Sequence, residues 1–222
     1  MKPRSSNQRS HALTLVEVLL IVLLLAVLAA IILPGLAAAK RRSGIFCQNQ
    51  IKQIGLAFQI WQADHDGKFP MEVLVASGGV MELAAVGNAV AIFQVVSNEL
   101  GTPKILIYEK DRNKNFATNF NSGFSAKNIS YFVGLDANKN LPQTFFSGDD
   151  NFAIGGVPVK SGLLELSTNS PITWTAERHK YQTKFYGNIG LVDALFVKSA
   201  TDGELRNLLK QTGLATNRLA IP

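Results

Sequence analysis

"LTLVEVLLIVLLLAVLAAIILP", residues 13–34, is the stretch on which the fold turns. Residues 13–33 are nearly all Leu, Val, Ile and Ala, and Thr14 and Glu17 are the only polar members. At 1.5 Å per residue these 21 residues rise about 31 Å, the thickness of a bilayer's hydrocarbon core. The apolar region of a secretory signal is shorter, about 7 to 15 residues. The segment therefore reads first as a membrane-spanning helix. A carboxylate at membrane depth costs about 2.5 to 3.5 kcal/mol even on lenient insertion scales. Glu17 is either tolerated near the interface or is the purpose of the segment.

An export signal is the rival reading. Ala37-Ala38-Ala39 matches an A-x-A cleavage site behind a basic start. Orientation by charge is a tie, because Lys2, Arg4 and Arg9 precede the span and Lys40, Arg41 and Arg42 follow it. The 222 residues suit one domain of ordinary size plus this apolar run. The net charge of +6 and the pI near 9.5 owe three charges to residues 1–12. The one tight basic cluster, Lys40 to Arg42, sits beside the span, where it suits anionic head groups better than a nucleic acid. Cys47 is the single cysteine, so no intrachain disulfide can form, and a buried thiol is expected.

Beyond Lys40 the apolar pattern narrows to one face. Cys47, Ile51, Ile54, Phe58 and Trp61 recur at spacings of four, three, four and three, with Lys52, Gln53, Gln59 and Gln62 off the stripe. Gly67 and Pro70 end this helix, and Pro34-Gly35 is expected to bend it. A second helix is expected over "NAVAIFQVVSNELG" (88–101). Strands are expected over "KILIYE" (104–109), "NISYFVGL" (128–135), "QTFFSG" (143–148), "PITWTAE" (171–177) and "GNIGLVDALFV" (187–197). Thr201 with Glu204 three residues on is a capping box for a last helix that ends at Gly213. The expected fold is α+β: a long N-terminal helix packed on a globular head with an antiparallel sheet. Its parts are a leader (1–12), a membrane helix (13–39), an amphipathic continuation (40–66) and the head (67–222).

The segment from residue 13 to Pro34 resembles the N-terminus of type IV pilins and type II secretion pseudopilins, the prepilin-type cleavage and methylation segment. "CQNQIKQIGLAFQIWQADHDGKFP", "FQVVSNELGTPKIL", "NISYFVGLDA" and the terminal "NRLAIP" are similar to pseudopilin-like proteins of planctomycetes and verrucomicrobia. The resemblance implies a pilin-like head and a cut between Ala12 and Leu13 by a prepilin peptidase, which also N-methylates Leu13. Glu17 then becomes the fifth residue of the mature chain, and Pro34 takes the place of the family's helix-kinking proline. Ala12 replaces the family's glycine, and Leu13 its phenylalanine.

The resemblance assigns assembly to Thr14, Glu17 and Pro34. Glu17 of one subunit pairs with the Leu13 amine of another and sets an axial register. The partners implied are the peptidase/methyltransferase, further copies and other pseudopilins, and inner-membrane lipid, with the head in the periplasm. DNA uptake by a minor pilin finds little support in the charge distribution. That branch also carries a late histidine followed by a strand and an Asp-Gly turn; here these are His179 and Asp193-Ala194.

No H-E-x-x-H, G-x-S-x-G, paired C-x-x-C, P-loop or G-x-G-x-x-G occurs, and His11, His65 and His179 lie far apart in sequence, so no enzyme is expected. Asp111-x-Asn113-x-Asn115 and Asp136-x-Asn138-x-Asn140 each open like an EF-hand loop, without its glycine or closing glutamate. Asp149, Asp150 and Asn151 could lend oxygens, and major type II pseudopilins bind calcium in a late loop. Calcium on Asp136, Asn138, Asn140, Asp149 and Asp150 is therefore the one metal expectation, and ordinary turn chemistry is its rival. Against the filament subunit stands a membrane-tethered or secreted binding domain whose apolar helix is only an anchor or an export signal.

Overall fold

The computed structural model describes residues 15–176, 178–181, 184–193 and 197–222. The chain divides into two units, Met1–Ser43 and Gly44–Pro222. Helix α1 (Leu15–Ala63) contributes to both and stays helical across Pro34 and Gly35. Proline removes one backbone bond from a helix without having to end it. In the first unit, every side chain from Leu15 to Ile32 is exposed.

In the second unit the sequence stripe becomes a buried row. Cys47, Ile51, Ile54, Phe58 and Trp61 are each at most 4% exposed. Full burial of an aliphatic or aromatic side chain is worth about 1.5 to 3 kcal/mol, so this row fixes the helix far more firmly than helix propensity could. His65 closes the row by stacking on Trp61, with ring centroids 3.5 Å apart. Asp66 and Gly67 then turn the chain with positive φ.

Short helices α2 (Met81–Ala84), α3 (Ala89–Val95) and α4 (Ser97–Leu100) follow, then strands β1 (Tyr131–Gly134), β2 (Phe145–Asp149), β3 (Phe152–Ile154), β4 (Val157–Pro158), β5 (Gly162–Ser167), β6 (Ile172–Trp174), β7 (His179–Tyr181), β8 (Lys184–Leu191) and β9 (Val197–Thr201). Helix α5 (Asp202–Gln211) and strand β10 (Thr216–Ile221) finish the chain. Among the described residues the main sheet runs β5-β10-β1-β2-β8-β7, with β9 also on β8, and a small sheet runs β4-β3-β6. Every pairing is antiparallel.

The main sheet is covered on both faces, and strand alternation explains how. Tyr131, Val133 and Phe146 join the core that holds the α1 row and Phe93. Their neighbours Phe132 and Phe145 point the other way, into a second core with Trp174, Ile189, Leu205 and Leu209. Phe58 meets Phe146 edge-on at 4.9 Å across the first core. Helix α5 starts as expected: the Thr201 N–H and hydroxyl both donate to Glu204 Oε2 at 2.7 Å. Asp202 accepts from the Trp174 backbone N–H at 2.9 Å and ties α5 to β6.

Three sequence expectations need correction. Residues 104–109 are not a strand: Pro103–Leu106 form a 3₁₀ turn, because Pro103 pre-sets the first helical φ and Thr102 Oγ1 accepts from the Lys104 N–H. The 88–101 helix is two helices, broken at Val96 (φ −93°, ψ 20°), where adjacent β-branched residues lower helix propensity. The 187–197 run is two strands folded on each other, with Gly190 paired to Val197. Strands β3, β4, β5, β7 and β10 lie outside every stretch expected to be extended.

Two glycines should respond oppositely to alanine. A Cβ on buried Gly187 would come within 2.3 Å of the Trp174 ring, whereas one on Gly203, in the first turn of α5, meets nothing within 4 Å. Gly203→Ala should stabilise by about 0.5 kcal/mol, and Gly187→Ala should destabilise by about 1 to 3 kcal/mol, as read from urea unfolding of the detergent-solubilised chain.

Candidate functional site

Two features stand out. The first is Leu15–Ile32, 18 residues of mean hydropathy 3.3, none of them buried within the protein. It is long and apolar enough to cross a membrane, and its exposure sets it apart from the core helix of a water-soluble protein. Glu17 lies in its first turn and is exposed. Ala12, Leu13 and Thr14 lie outside the described residues, as do the side chain of Pro34 and residues 194–196 of the turn after Asp193.

The second is a buried polar cluster where α1 meets the sheet. Cys47 on α1, Tyr131 on β1, Asp149 on β2, His179 on β7 and Asn188 on β8 are all at most 3% exposed. The Tyr131 hydroxyl donates to Gln50 Oε1 at 2.6 Å, and Gln50 Nε2 donates to the Ile107 carbonyl at 2.9 Å. The one phenolic proton is thus committed to Gln50, while the Cys47 thiol lies 3.2 Å from the Tyr131 oxygen and donates to Asp149 Oδ1.

Asp149 Oδ2 accepts from the Asn188 backbone N–H at 2.7 Å and its Nδ2 at 3.0 Å, and His179 Nε2 stands 3.2 Å away. Asp149 Oδ1 has longer contacts, 3.5 Å to Cys47 Sγ and 3.6 Å to Arg178 Nη1. The Arg178 side chain is 4% exposed. Its guanidinium pairs with Asp111 at 2.7 Å and with Asp150, and donates to the Ser130 carbonyl. Lys114 adds a second cation, 3.5 Å from Asp150.

Burial pushes the Cys47 thiol far up, and the Asp149 charge pushes it the same way. The pair Cys47–His179 thus has the residue types of a nucleophile and base, with the sulfur held as a neutral, enclosed thiol. Burial also acts to raise the Asp149 carboxyl, but the hydrogen bond and charge of His179, with Arg178 and the Asn188 N–H, outweigh it and hold the group below the usual aspartate range. At Asp150 burial wins over Arg178 and Lys114, and the carboxyl is pushed up.

The aspartates singled out in the sequence fall into two groups. Asp111, Asp149 and Asp150 come together, and Arg178 and Lys114 meet their charge. Asp136 instead accepts from the Arg218 backbone N–H at 2.7 Å and its Nε at 2.8 Å. Asn138 donates to Glu72 at 2.5 Å and accepts from the Asn140 N–H at 2.9 Å, an ordinary Asx turn. Arg178 and Asn188 gave no signal in sequence, since their partners lie up to 67 and 140 residues away. Comparison with protein-family models, with characterised proteins and with solved structures finds no match.

Arg178→Met should cost about 3 to 5 kcal/mol at pH 7, because it leaves buried carboxylates without their guanidinium. The cost should shrink towards pH 4. Loss of the cation raises the folded-state pKa of Asp149 and Asp150, so the variant takes up protons on folding and gains stability as pH falls. Urea unfolding of both chains at the two pH values measures it.

Proposed function

We propose that this chain is a pseudopilin-like structural subunit. Processed after Ala12, it is held in the inner membrane by its N-terminal helix, with a pilin-like head in the periplasm, and assembles side by side with further copies and related subunits. The observation that carries the reading is α1 itself. One helix begins with an exposed, lipid-like segment that has a carboxylate in its first turn, and its later part packs a buried row against an antiparallel sheet. A chain that needed only an anchor has no need of a carboxylate in the first turn of its apolar segment, where lipid disfavours charge. In assembly, Glu17 meets the new α-amine on Leu13 of a neighbour and fixes the axial offset, and lateral packing of Leu- and Val-rich helices supplies cohesion.

The outward side of α1 in the second unit adds support. Leu56 and Ile60 are about half exposed there, on the side away from the buried row, and Phe46 is half exposed on the row's flank. Positions 46, 56 and 60 share a face at the i, i+10, i+14 spacing of a helix–helix seam. The role proposed is structural, without catalysis.

A membrane-tethered or secreted binding domain is the second reading. In its favour is an open pocket of about 490 Å³ whose lining includes Met71, Met81, Leu135, Leu141, Leu214 and Arg218. Two methionines in a partly apolar lining suit adaptable binding.

Mass spectrometry of the N-terminus of the chain from its native membrane separates the two. A chain that begins at N-methylated Leu13 is the expected result. A start at Met1, or at Lys40 after signal-peptidase cleavage, would sink the proposal. In addition, Glu17→Ala should insert normally and reduce co-assembly with wild-type chains at least tenfold, as read by in-membrane cross-linking.

A further inference from the structure

We infer that Cys47, Asp149 and His179 form an intramolecular site for a divalent transition metal of the zinc type, which takes the place of the thiol proton in the buried cluster. This inference is independent of the assembly reading. The donor atoms come from α1, β2 and β7 and all lie within 4.8 Å of one another. Sulfur, carboxylate oxygen and imidazole nitrogen are a zinc-type donor set, unlike the all-oxygen set calcium takes.

The three side chains converge within reach of one ion. Zinc sits about 2.3 Å from sulfur and 2.0 to 2.1 Å from nitrogen or oxygen. Tetrahedral geometry then spaces neighbouring donors about 3.5 Å apart for S and O and about 3.3 Å apart for N and O. Cys47 Sγ is 3.5 Å from Asp149 Oδ1 and His179 Nε2 is 3.2 Å from Asp149 Oδ2, so the two donors approach different oxygens of the carboxylate, and a shared ion draws on both oxygens or turns the carboxylate to present one. The Tyr131 oxygen, 3.2 Å from Sγ, is a further oxygen beside these donors.

Two more observations point the same way. Nε2 lies 3.2 Å from both a carboxylate oxygen and the Asn188 amide nitrogen. If Nε2 carries a proton it suits the carboxylate and opposes the amide N–H, and if bare the reverse holds, so neither tautomer satisfies both contacts. A bare Nε2 facing a cation relieves the conflict with the carboxylate. Charge is the second observation. Three carboxylates, Asp111, Asp149 and Asp150, surround two cations, Arg178 and Lys114. A divalent ion with a thiolate supplies one positive charge beside Asp149, the countercharge that His179 supplies in its absence. Arg178 does not displace the ion, because its shorter pairs are with Asp111 and Asp150. On binding, the thiol proton leaves to solvent, the sulfur lone pair forms the metal bond, and the imidazole keeps its proton on Nδ1. Because the donors are buried, the ion enters as the chain folds.

The test uses the full chain in detergent, refolded with one equivalent of Co²⁺ as the probe. The expected result is a thiolate-to-cobalt charge-transfer band at one ion per chain. It should disappear when Zn²⁺ is added and be at least tenfold weaker in His179→Gln. Cys47→Ser should abolish it, and if that variant misfolds, the His179→Gln titration and the Zn²⁺ displacement still decide. A folded wild-type chain without the band, or a band unchanged in His179→Gln, would overturn the site and leave a hydrogen-bonded polar node. Neither outcome depends on where the N-terminus is cut.

Discussion

Asp149 has no exposure to solvent and is held in its charged form, and the architecture of the second unit follows from that one constraint. Moving a carboxylate out of water costs several kcal/mol even after the surroundings relax, and only close, well-aimed donors offset it. Here they come from β8 through Asn188, from β7 through His179 and from the adjoining Arg178. A one-residue slip of β8 against β2 would turn Asn188 to the opposite face and leave the charge without its shortest hydrogen bonds. The carboxylate therefore specifies register where the apolar pattern is weak, in the glycine-interrupted run of β8.

The same group reaches into α1. Cys47 contacts Asp149, Gln50 holds Tyr131, and Gln48 donates to Ser199, which in turn donates to Asn188 Oδ1. The helix is thus fastened to the sheet twice over. Hydrophobic burial of the Cys47–Trp61 row supplies most of the free energy but tolerates sliding by a turn. The polar contacts at one end of the row fix the turn, because a displaced helix would leave Gln50 and Tyr131 buried without their partners.

The sequence revealed what is periodic or local. The lipid-like run, the buried row from Cys47 to Trp61, the Thr201–Glu204 capping box and the stop at Gly67 all follow from spacings of three, four or seven and from single residues with fixed conformational preferences. It did not reveal the cluster, because pairs such as Cys47–Asp149 and Gln50–Tyr131 are separated by 102 and 81 residues. Strands β3 and β4 are two or three residues long and carry Gly155-Gly156 between them, too short for alternation to register. Residues 104–109 failed for a different reason: a β-branched composition favoured a strand, and one proline at the entry decided the backbone instead. Outward-facing Phe46, Leu56 and Ile60 were hidden by the stronger stripe behind them.

What an anchor requires is less than what this helix carries. Leu, Val and Ile over some twenty residues suffice to hold a domain at a membrane. Replacing Glu17 by leucine would improve such an anchor, and so would polar residues at 46, 56 and 60, which would keep the head clear of its neighbours. The chain has the opposite choices at each place: a carboxylate where lipid disfavours it and apolar side chains where water does. In the proposed assembly a second helix offers a countercharge for the first and an apolar surface for the others. The proposed assembly through α1 would account for both, whereas an anchor alone leaves them as two unrelated costs.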